Sequence, residues 1–249
     1  MAVLIVRDAK AYMAGFELTG QIRSLALDYG AEPLDATTLG STTRTRTGGL
    51  KTVAFSHQGF WNAASASSAI DPIIYNRLGT ANVPVTVAPQ LSSDGSLAYL
   101  FRALHTEFSE SGTVGELLGY GVTAEGDEDL VRGVVARNST LVGSSNGAGT
   151  AFFLGSSTDK TVHASLHVLD VTNPTSSDAL VVVLQSAGSS GMGGATTRIT
   201  FTATTGGGGN GEWQSFTAGT TDEWWRQTTT APTSSGKYSF IVSAGLSTL

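Results

Sequence analysis

Alternating apolar and polar positions in the first 61 residues predict two long strands. In the segment FELTGQIRSLALDY (16–29), Ile22, Leu25 and Leu27 are spaced as in a half-buried strand with one irregularity. From Leu50 to Trp61, every second side chain falls on the same face; these are Val53, Phe55, His57, Gly59 and Trp61. Between the strands, the Thr-, Gly- and Arg-rich segment 37–49 is too long for a simple turn. The pattern therefore predicts a long hairpin.

The periodicity changes after this hairpin and predicts a short amphipathic helix over residues 71–78. Asp71 is a suitable capping residue, and Pro72 fits the first helical position, where its missing N–H costs nothing. Ile74 and Leu78 lie four residues apart on one face, and Gly79 suits a left-handed stop. A helix of about two turns is too short to stand alone and must lie on a sheet.

The rest of the first half is read as strands, with one ambiguous segment. VPVTVAPQ predicts a strand beside Pro84, and VGELLGYGVTAEG and DLVRGVVARNST predict two more, joined by an acidic turn. Residues 96–111 fit both helical and strand spacing, but their content of Tyr, Phe and Thr favours a strand. The apolar residues 2–6 fit a short strand or an ordered arm.

A change in composition at 143–150, GSSNGAGT, marks a candidate linker. The segments after it all resemble strands, separated by Gly-, Ser- and Pro-rich loops, as in a β-sandwich or jelly roll. We therefore predict a mainly β chain: a sandwich or barrel with one flanking helix over 1–142, and a second β-sandwich over 151–249.

Composition and charge narrow the function. Charged residues make up 14% of the 249 residues, against about 25% in typical soluble domains, so much of the surface is expected to be covered by other subunits. A net charge of −6 argues against a nucleic-acid binder. The absence of cysteine excludes disulfides and thiolate sites. No apolar run is long enough to cross a membrane, and MAVLIV is too short for a signal peptide. Synthesis and folding in a cytoplasm are expected.

Candidate chemistry is sparse. On a strand, His163 and His167 would lie about 13 Å apart, too far to share a metal ion, and His57 and His105 are expected in or beside the core. TGGGGN lacks the GK[ST] of a phosphate-binding loop. No nucleophile is spaced with a base, so we expect neither an enzyme nor a cofactor. The acidic cluster lacks the spacing of a calcium loop and predicts a solvated turn or a charged surface; its members are Glu125, Asp127, Glu128 and Asp129.

Three tryptophans leave a binding role open as the alternative. Trp213, Trp224 and Trp225 are candidate exposed aromatics that could stack on sugars, as in a two-domain adhesin or carbohydrate-binding module. On a strand, however, one ring of the adjacent pair faces inward and the other faces outward.

The order of elements over residues 11–137 resembles the major tail protein, or tail tube protein, of long-tailed bacteriophages. The resemblance is carried by QIRSLALDYGAEPLDATTLG, the loop ending in RTRTGGLKTVAFSHQGFW, the helix segment DPIIYNRLG, VPVTVAP and FSESGTVGELLGYGVTAEG. Residues 151–249 resemble β-rich segments of phage structural proteins. They would form either an exterior decoration or a diverged second tube-type domain.

The resemblance implies a virion structural protein, made in the host cytoplasm, that assembles into stacked rings and a hollow tail tube. The rings would be hexameric, or trimeric and pseudo-hexameric, and would meet other tail proteins. DNA would pass the lumen during ejection without specific binding, and the four acids named above would face the lumen or a seam. Residues 34–50 would form the stacking hairpin between rings, with contact residues Leu34, Thr38, Leu39, Arg44, Arg46 and Leu50.

Overall fold

A computed structural model describes residues 9–40, 42–62, 69–91, 93–142, 147–172, 179–204, 208–230 and 236–248. These ranges contain strands and one helix, α1 (Ile70–Tyr75). The strands are β1 (Lys10–Met13), β2 (Phe16–Glu17), β3 (Ile22–Asp35), β4 (Arg46–Phe60), β5 (Val83–Ala88), β6 (Leu97–Ser111), β7 (Gly119–Gly126), β8 (Val131–Val142), β9 (Gly147–Ala148), β10 (Phe152–Phe153), β11 (Lys160–Thr172), β12 (Val181–Ala187), β13 (Thr196–Thr200), β14 (Asn210–Phe216), β15 (Trp224–Thr230) and β16 (Lys237–Thr248). The predicted mainly β fold with one short helix is confirmed.

The larger sheet takes strands from both sides of the predicted linker. Its main path runs β14-β11-β16-β8-β6-β5-β1-β2, and β7, β4 and β3 branch from β6. The smaller sheet contains β9, β10, β12, β13 and β15. Of the predicted linker, residues 143–146 lie outside the described ranges, and residues 147–148 form β9, which pairs with β15. The division at 143–150 stays a prediction.

Three apolar clusters fill the molecule. The first lies between the N-terminal strands and α1, with Phe55 and Phe101 at its centre. The second lies between the larger sheet and the smaller one, around Trp225 and Phe240. The third takes side chains from both halves, including Tyr12, Leu100 and Ile241. The larger sheet therefore curls into a nearly closed barrel that joins the two sandwich cores.

Strand β4 shows the predicted alternation. Val53, Phe55, His57 and Gly59 are buried, whereas Ala54, Gln58 and Phe60 are exposed. β3 pairs with β4 from Ile22 opposite Gly59 to Asp35 opposite Arg46, with the expected irregularity between Ile22 and Ser24. Both long strands of the predicted hairpin are confirmed.

The helix exists, but both of its predicted ends were wrong. It begins at Ile70 with Ala69 as the N-cap and no side-chain capping bond, so Asp71 lies inside the first turn. Burial sets this start, because Ile70, Ile73 and Ile74 form one stripe against the first core. The helix ends at Tyr75 rather than at residue 78.

The chain leaves the helix early to join β6. Leu78 forms an isolated bridge with His105, and the N–H of Gly79 donates to the carbonyl of His105. Gly79 adopts the expected left-handed conformation, with φ of 75°. The sequence pattern missed this contact because its partner lies 26 residues away.

The ambiguous segment 97–111 is strand β6, as predicted. It pairs with β5, β8 and β7 along its length, so three neighbours satisfy its backbone groups. The predicted N-terminal strand or arm over residues 2–6 lies outside the described residues. Among the helices of the described ranges, none is long and apolar enough to span a membrane.

Candidate assembly surface

The hairpin of β3 and β4 extends beyond the sheet that holds it. β7 pairs with β4 only from Ala54 to Phe60. From Val53 to Arg46, β4 pairs with β3 alone within the described chain. At about 3.3 Å per residue, this two-stranded part is about 25 Å long. We call residues 29–53 the ribbon.

The ribbon carries the predicted contact residues, and all of them are exposed; they are Leu34, Thr38, Leu39, Arg44, Arg46 and Leu50. Leu39 is fully exposed, and Leu50 is 81% exposed. A two-stranded ribbon is marginal in water, and it gains stability when its apolar side chains are covered. The sequence identified this surface but placed it in a loop over 34–50. In the structure, only residues 36–45 connect the strands.

The tip of the ribbon is held by short-range hydrogen bonds. The N–H of Thr37 donates to Oδ1 of Asp35 at 2.9 Å, and the N–H of Thr45 donates to Oγ1 of Thr37 at 3.0 Å. The N–H of Ala36 donates to the carbonyl of Thr45. Hydrogen bonds from Thr37 hold the pKa of the Asp35 carboxyl below its usual value. These bonds tie residues 35–37 to Thr45, and Leu39 beyond them is exposed to solvent.

Three of the four predicted lumen acids contact donors near the turn between β7 and β8, and one of these donors, Lys51, belongs to the ribbon. Asp129 accepts from Nζ of Lys51 at 2.7 Å, and this bond raises the pKa of Lys51. Asp127 accepts from the N–H of Asn82 at 2.7 Å, and Glu128 pairs with Arg102. These contacts tie the turn between β7 and β8 to its surroundings, and the exposed Lys51–Asp129 pair joins it to the ribbon.

Glu125 lies on a different surface, the open face of β3, β4, β7 and β6. Register places Asp28 beside Ala54 and Glu125, and it places Ala26 beside Ser56, Thr123 and Glu107. This face is opposite the first core and carries small side chains, acids and the larger Gln58, Phe60 and Leu104, of which Leu104 pairs beside Glu125. Asp28, Glu107 and Glu125 are its acids, and sequence reasoning missed the first two because their strands are distant in the chain.

A second exposed apolar surface lies at the other end of the same strands. Val114 and Leu117, in the turn between β6 and β7, are exposed, and Phe60 at the end of β4 is 47% exposed. Glu110 and Glu116 are exposed beside them. Phe60 lies about 46 Å along β4 from Arg46 at the ribbon tip. We call residues 110–118 together with Phe60 the distal end.

The distal end and the ribbon tip differ in charge. Arg44 and Arg46 are exposed at the tip beside the single acid Asp35, while Glu110 and Glu116 are exposed at the distal end, where Arg23 lines a cavity with Phe60 and Glu116. Both surfaces present uncovered apolar side chains. Two copies arranged head to tail would bring opposite charges and apolar groups together.

The three candidate aromatics do not form a sugar-binding platform. Trp225 is fully buried, so its prediction as an exposed aromatic was wrong; it points into the second core. Trp224 is partly buried and contacts Phe153 edge to face, with ring centroids 5.6 Å apart. Trp213 packs against the third core and lies 5.4 Å from the ring of His163. The adjacent pair faces opposite sides, as the strand pattern predicts.

One cluster of hydroxyl and imidazole groups is enclosed and not a catalytic site. Nε2 of His167 lies 2.9 Å from Oγ1 of Thr86, which lies 2.7 Å from Oγ of Ser165. The N–H of Gly15 donates to Nδ1 of His167, so Nε2 carries the proton and donates to Thr86. Thr86, Ser165 and His167 are all fully buried, so a substrate has no access to the hydroxyls.

All four histidines lie where the strand pattern and the core prediction place them. His57 and His105 are each 1% exposed, in or beside the first core, and burial lowers their pKa values to about 3 and about 4. His163 and His167 lie on β11, as a strand pattern predicts. Within the described part of the chain, no three His, Asp or Glu side chains converge to hold a metal ion.

Comparison with known proteins gives structural likenesses only. No protein-family model and no curated protein matches the chain. A chain from the virion of a native gene transfer agent particle is 16% identical over 51% of this chain and 97% of its own, with a TM-score of 0.40. A chain from the tail of an empty gene transfer agent particle with C6 symmetry is 17% identical over 49% and 91%, with a TM-score of 0.37.

A third likeness spans nearly the whole chain. The Dit protein of SPP1, described as a paradigm of the hub adsorption apparatus of phages that infect Gram-positive bacteria, is 12% identical over 97% of this chain and all of its own, with a TM-score of 0.39. With identities below 25% and TM-scores below 0.5, these likenesses do not assign the chain to a family.

Proposed function

We propose that this chain is a structural virion protein that assembles head to tail into stacked rings, forming the tail tube of a bacteriophage. The observation that carries the proposal is the ribbon, a two-stranded extension that exposes Leu34, Leu39 and Leu50. Such side chains are costly to leave in water, and a second copy would cover them. The resemblance over residues 11–137 gives the assembly its proposed form, a tube through which DNA is ejected.

In this arrangement, the ribbon tip of one copy contacts the distal end of the next. Arg44 and Arg46 of one subunit would face Glu110 and Glu116 of its neighbour. Because the two surfaces differ, the contact is heterologous and repeats without limit along an axis, as a tube requires. Salt weakens the charge pairs but not the apolar contact, so assembly should be slower at high ionic strength.

The acidic open face fits the wall of a DNA conduit. Asp28, Glu107 and Glu125 would repel phosphates, so DNA would pass without binding. The small side chains around them leave space in a lumen. The proposed building block of the tube is a ring. It contains six copies, or three copies with two tube-type units each, and the ends of the tube contact other tail proteins.

The substitution Leu39→Asp tests this function. Leu39 contacts solvent only, so the variant should keep the melting temperature of the natural chain. It should fail to form tubes, because a charge would be buried at each contact between rings. Negative-stain electron microscopy and sedimentation velocity measure assembly, and calorimetry measures the melting temperature.

Tyr75→Asp is the matched control, since Tyr75 on α1 is 66% exposed and belongs neither to the ribbon nor to the distal end. It should assemble like the natural chain. Deletion of residues 37–47 should likewise give folded subunits that do not polymerise. A natural chain that stays monomeric at every concentration, or tubes formed by Leu39→Asp, would refute the proposal.

A further inference from the structure

A trough of about 710 Å³ crosses β7 on the open face, at the distal end. Its floor is low because β7 carries glycine at two successive positions of this face, Gly119 and Gly121. Register places Phe60 on one side of Gly119 and Ser111 on the other. The trough therefore lies where two side chains are missing between larger neighbours.

The fold of the subunit does not require these two glycines. Neither Gly119 nor Gly121 has a positive φ, so other residues can adopt the same backbone. A Cβ at Gly119 would meet no atom closer than 3.4 Å, and a Cβ at Gly121 would meet the rotatable Oγ of Ser109 at 3.0 Å. Glycine weakens a strand and often marks a site where another chain approaches closely. The pair thus keeps a surface open.

The rim of the trough offers apolar groups and both signs of charge. Phe60 on β4 is 47% exposed, and Leu117 in the turn between β6 and β7 is 72% exposed. Glu116 lies beside Leu117, and Arg23 lies on the β3 side. Neither charged side chain forms an ion pair with another described residue. The rim can therefore receive a segment with one apolar side chain and charges of both signs.

The ribbon tip carries such a set of groups. Leu39 is fully exposed, Arg44 is exposed, and Asp35 lies opposite Arg46 at the last pair of the ribbon. The tip and the trough lie at opposite ends of the same strands. A second copy displaced along the strands by about the length of β4 brings its tip to the trough of the first.

We propose that the trough of one copy is the seat for the ribbon tip of the next copy, with Leu39 held between Phe60 and Leu117. This inference rests on the proposed function. It adds the site that receives the tip, and it explains why β7 has glycine at two positions that other residues could occupy.

Two charge pairs of opposite sense accompany the apolar contact. Arg44 of the tip faces Glu116, and Asp35 faces Arg23 on the β3 side of the trough. An exchange of these partners brings like charges together. The two pairs therefore fix the orientation in which the tip enters.

Gly119→Val tests the seat by filling it. Valine favours a strand and its Cβ makes only ordinary contacts, so the variant should keep the melting temperature of the natural chain. It should raise the lowest concentration at which tubes form about tenfold or more, because the added side chain occupies the seat. Thr123→Val is the matched control: Thr123 lies on the same face of β7 outside the trough, and this variant should assemble normally.

Sedimentation velocity and negative-stain electron microscopy measure assembly, and calorimetry measures the melting temperature. Tubes that form equally well from Gly119→Val and from the natural chain would refute the seat alone and leave the tube function standing. A natural chain that stays monomeric at every concentration would refute both.

Charge reversal tests the same seat without changing the shape of its floor. Glu116→Arg and Arg44→Glu should each raise the concentration needed for assembly about fivefold or more, and the combined variant should restore assembly because the pair is re-formed in reverse. Arg44→Glu combined with Glu110→Arg is the control, since Glu110 is exposed at the distal end but does not line the trough. That combination should stay defective. Equal restoration by both combinations, or by neither, would overturn the assignment of Arg44 to Glu116.

Discussion

At the residue scale, His167 connects strands that are remote in the chain. Its ring on β11 bonds to Thr86 on β5 and to the backbone of Gly15, and it lies 6.0 Å from the ring of Tyr12. Sequence spacing placed His167 on a strand but could not reveal these partners. A buried polar group is satisfied only by the fold that surrounds it.

The neutral state of His167 predicts acid sensitivity. Burial lowers its pKa from 6.5 to about 3 in the folded protein. Between these values the unfolded chain binds more protons, so the free energy of unfolding falls as the pH drops below 6.5. A histidine with such a shift lowers the free energy of unfolding by about 1.4 kcal/mol for each pH unit below 6.5. Above pH 6.5 it adds no further pH dependence.

The variant His167→Gln should reduce this pH dependence. Glutamine does not titrate, so the slope of unfolding free energy between pH 6 and pH 4 should fall by about 1.4 kcal/mol per unit. At pH 7 the variant should be less stable by about 1–3 kcal/mol, because the bonds to Gly15 and Thr86 are disturbed. Urea denaturation at several pH values measures both effects. An unchanged slope would mean that His167 is protonated in the folded protein.

At the scale of elements, α1 is held by packing rather than by capping. Ile74 is fully buried in the first core, while its neighbour Tyr75 is exposed. The helix has fewer than two turns and no side-chain cap. Its stability therefore depends on packing against the sheet beneath it. The prediction that Asp71 caps the helix was wrong for this reason. Burial of the isoleucine stripe, and not a capping side chain, sets the first residue of the helix.

Ile74→Ala should therefore destabilise the protein strongly. Removal of a fully buried isoleucine side chain costs about 2–5 kcal/mol, through lost burial and the cavity that remains. Tyr75→Ala should change stability by no more than about 0.5 kcal/mol. Chemical denaturation measures the free energy of unfolding of both variants and of the natural chain. Similar losses in both would show that α1 is not anchored by its buried face.

At the scale of the whole molecule, the shared barrel argues for one folding unit. β8 pairs with both β6 and β16, so strands from both halves are linked by backbone hydrogen bonds. The third core also takes side chains from both halves. Elements that share a sheet and a core are expected to unfold together, and their amides then lose protection from hydrogen exchange in the same transition.

We expect β4 and β12 to lose hydrogen-exchange protection at the same denaturant concentration, in one transition. β4 belongs to the first core and β12 to the second, so each reports on one half. Mass spectrometry of the exchanged peptides measures both in one sample. Two separated transitions would instead support independent domains on either side of residues 143–150.

The sequence by itself determined most strands, because alternation reports one buried face, as in β4, β7 and β12, whereas β5 is buried on both faces. It also determined the exposed ribbon residues: a polar, Gly-rich segment cannot form a core. Only the tertiary structure decided which strands pair, that Trp225 rather than Trp224 is buried, and where α1 ends. It alone brought Asp28, Glu107 and Glu125 to one face and joined the two halves in a barrel. These outcomes depend on partners far away in the chain, and local periodicity carries no information about such partners.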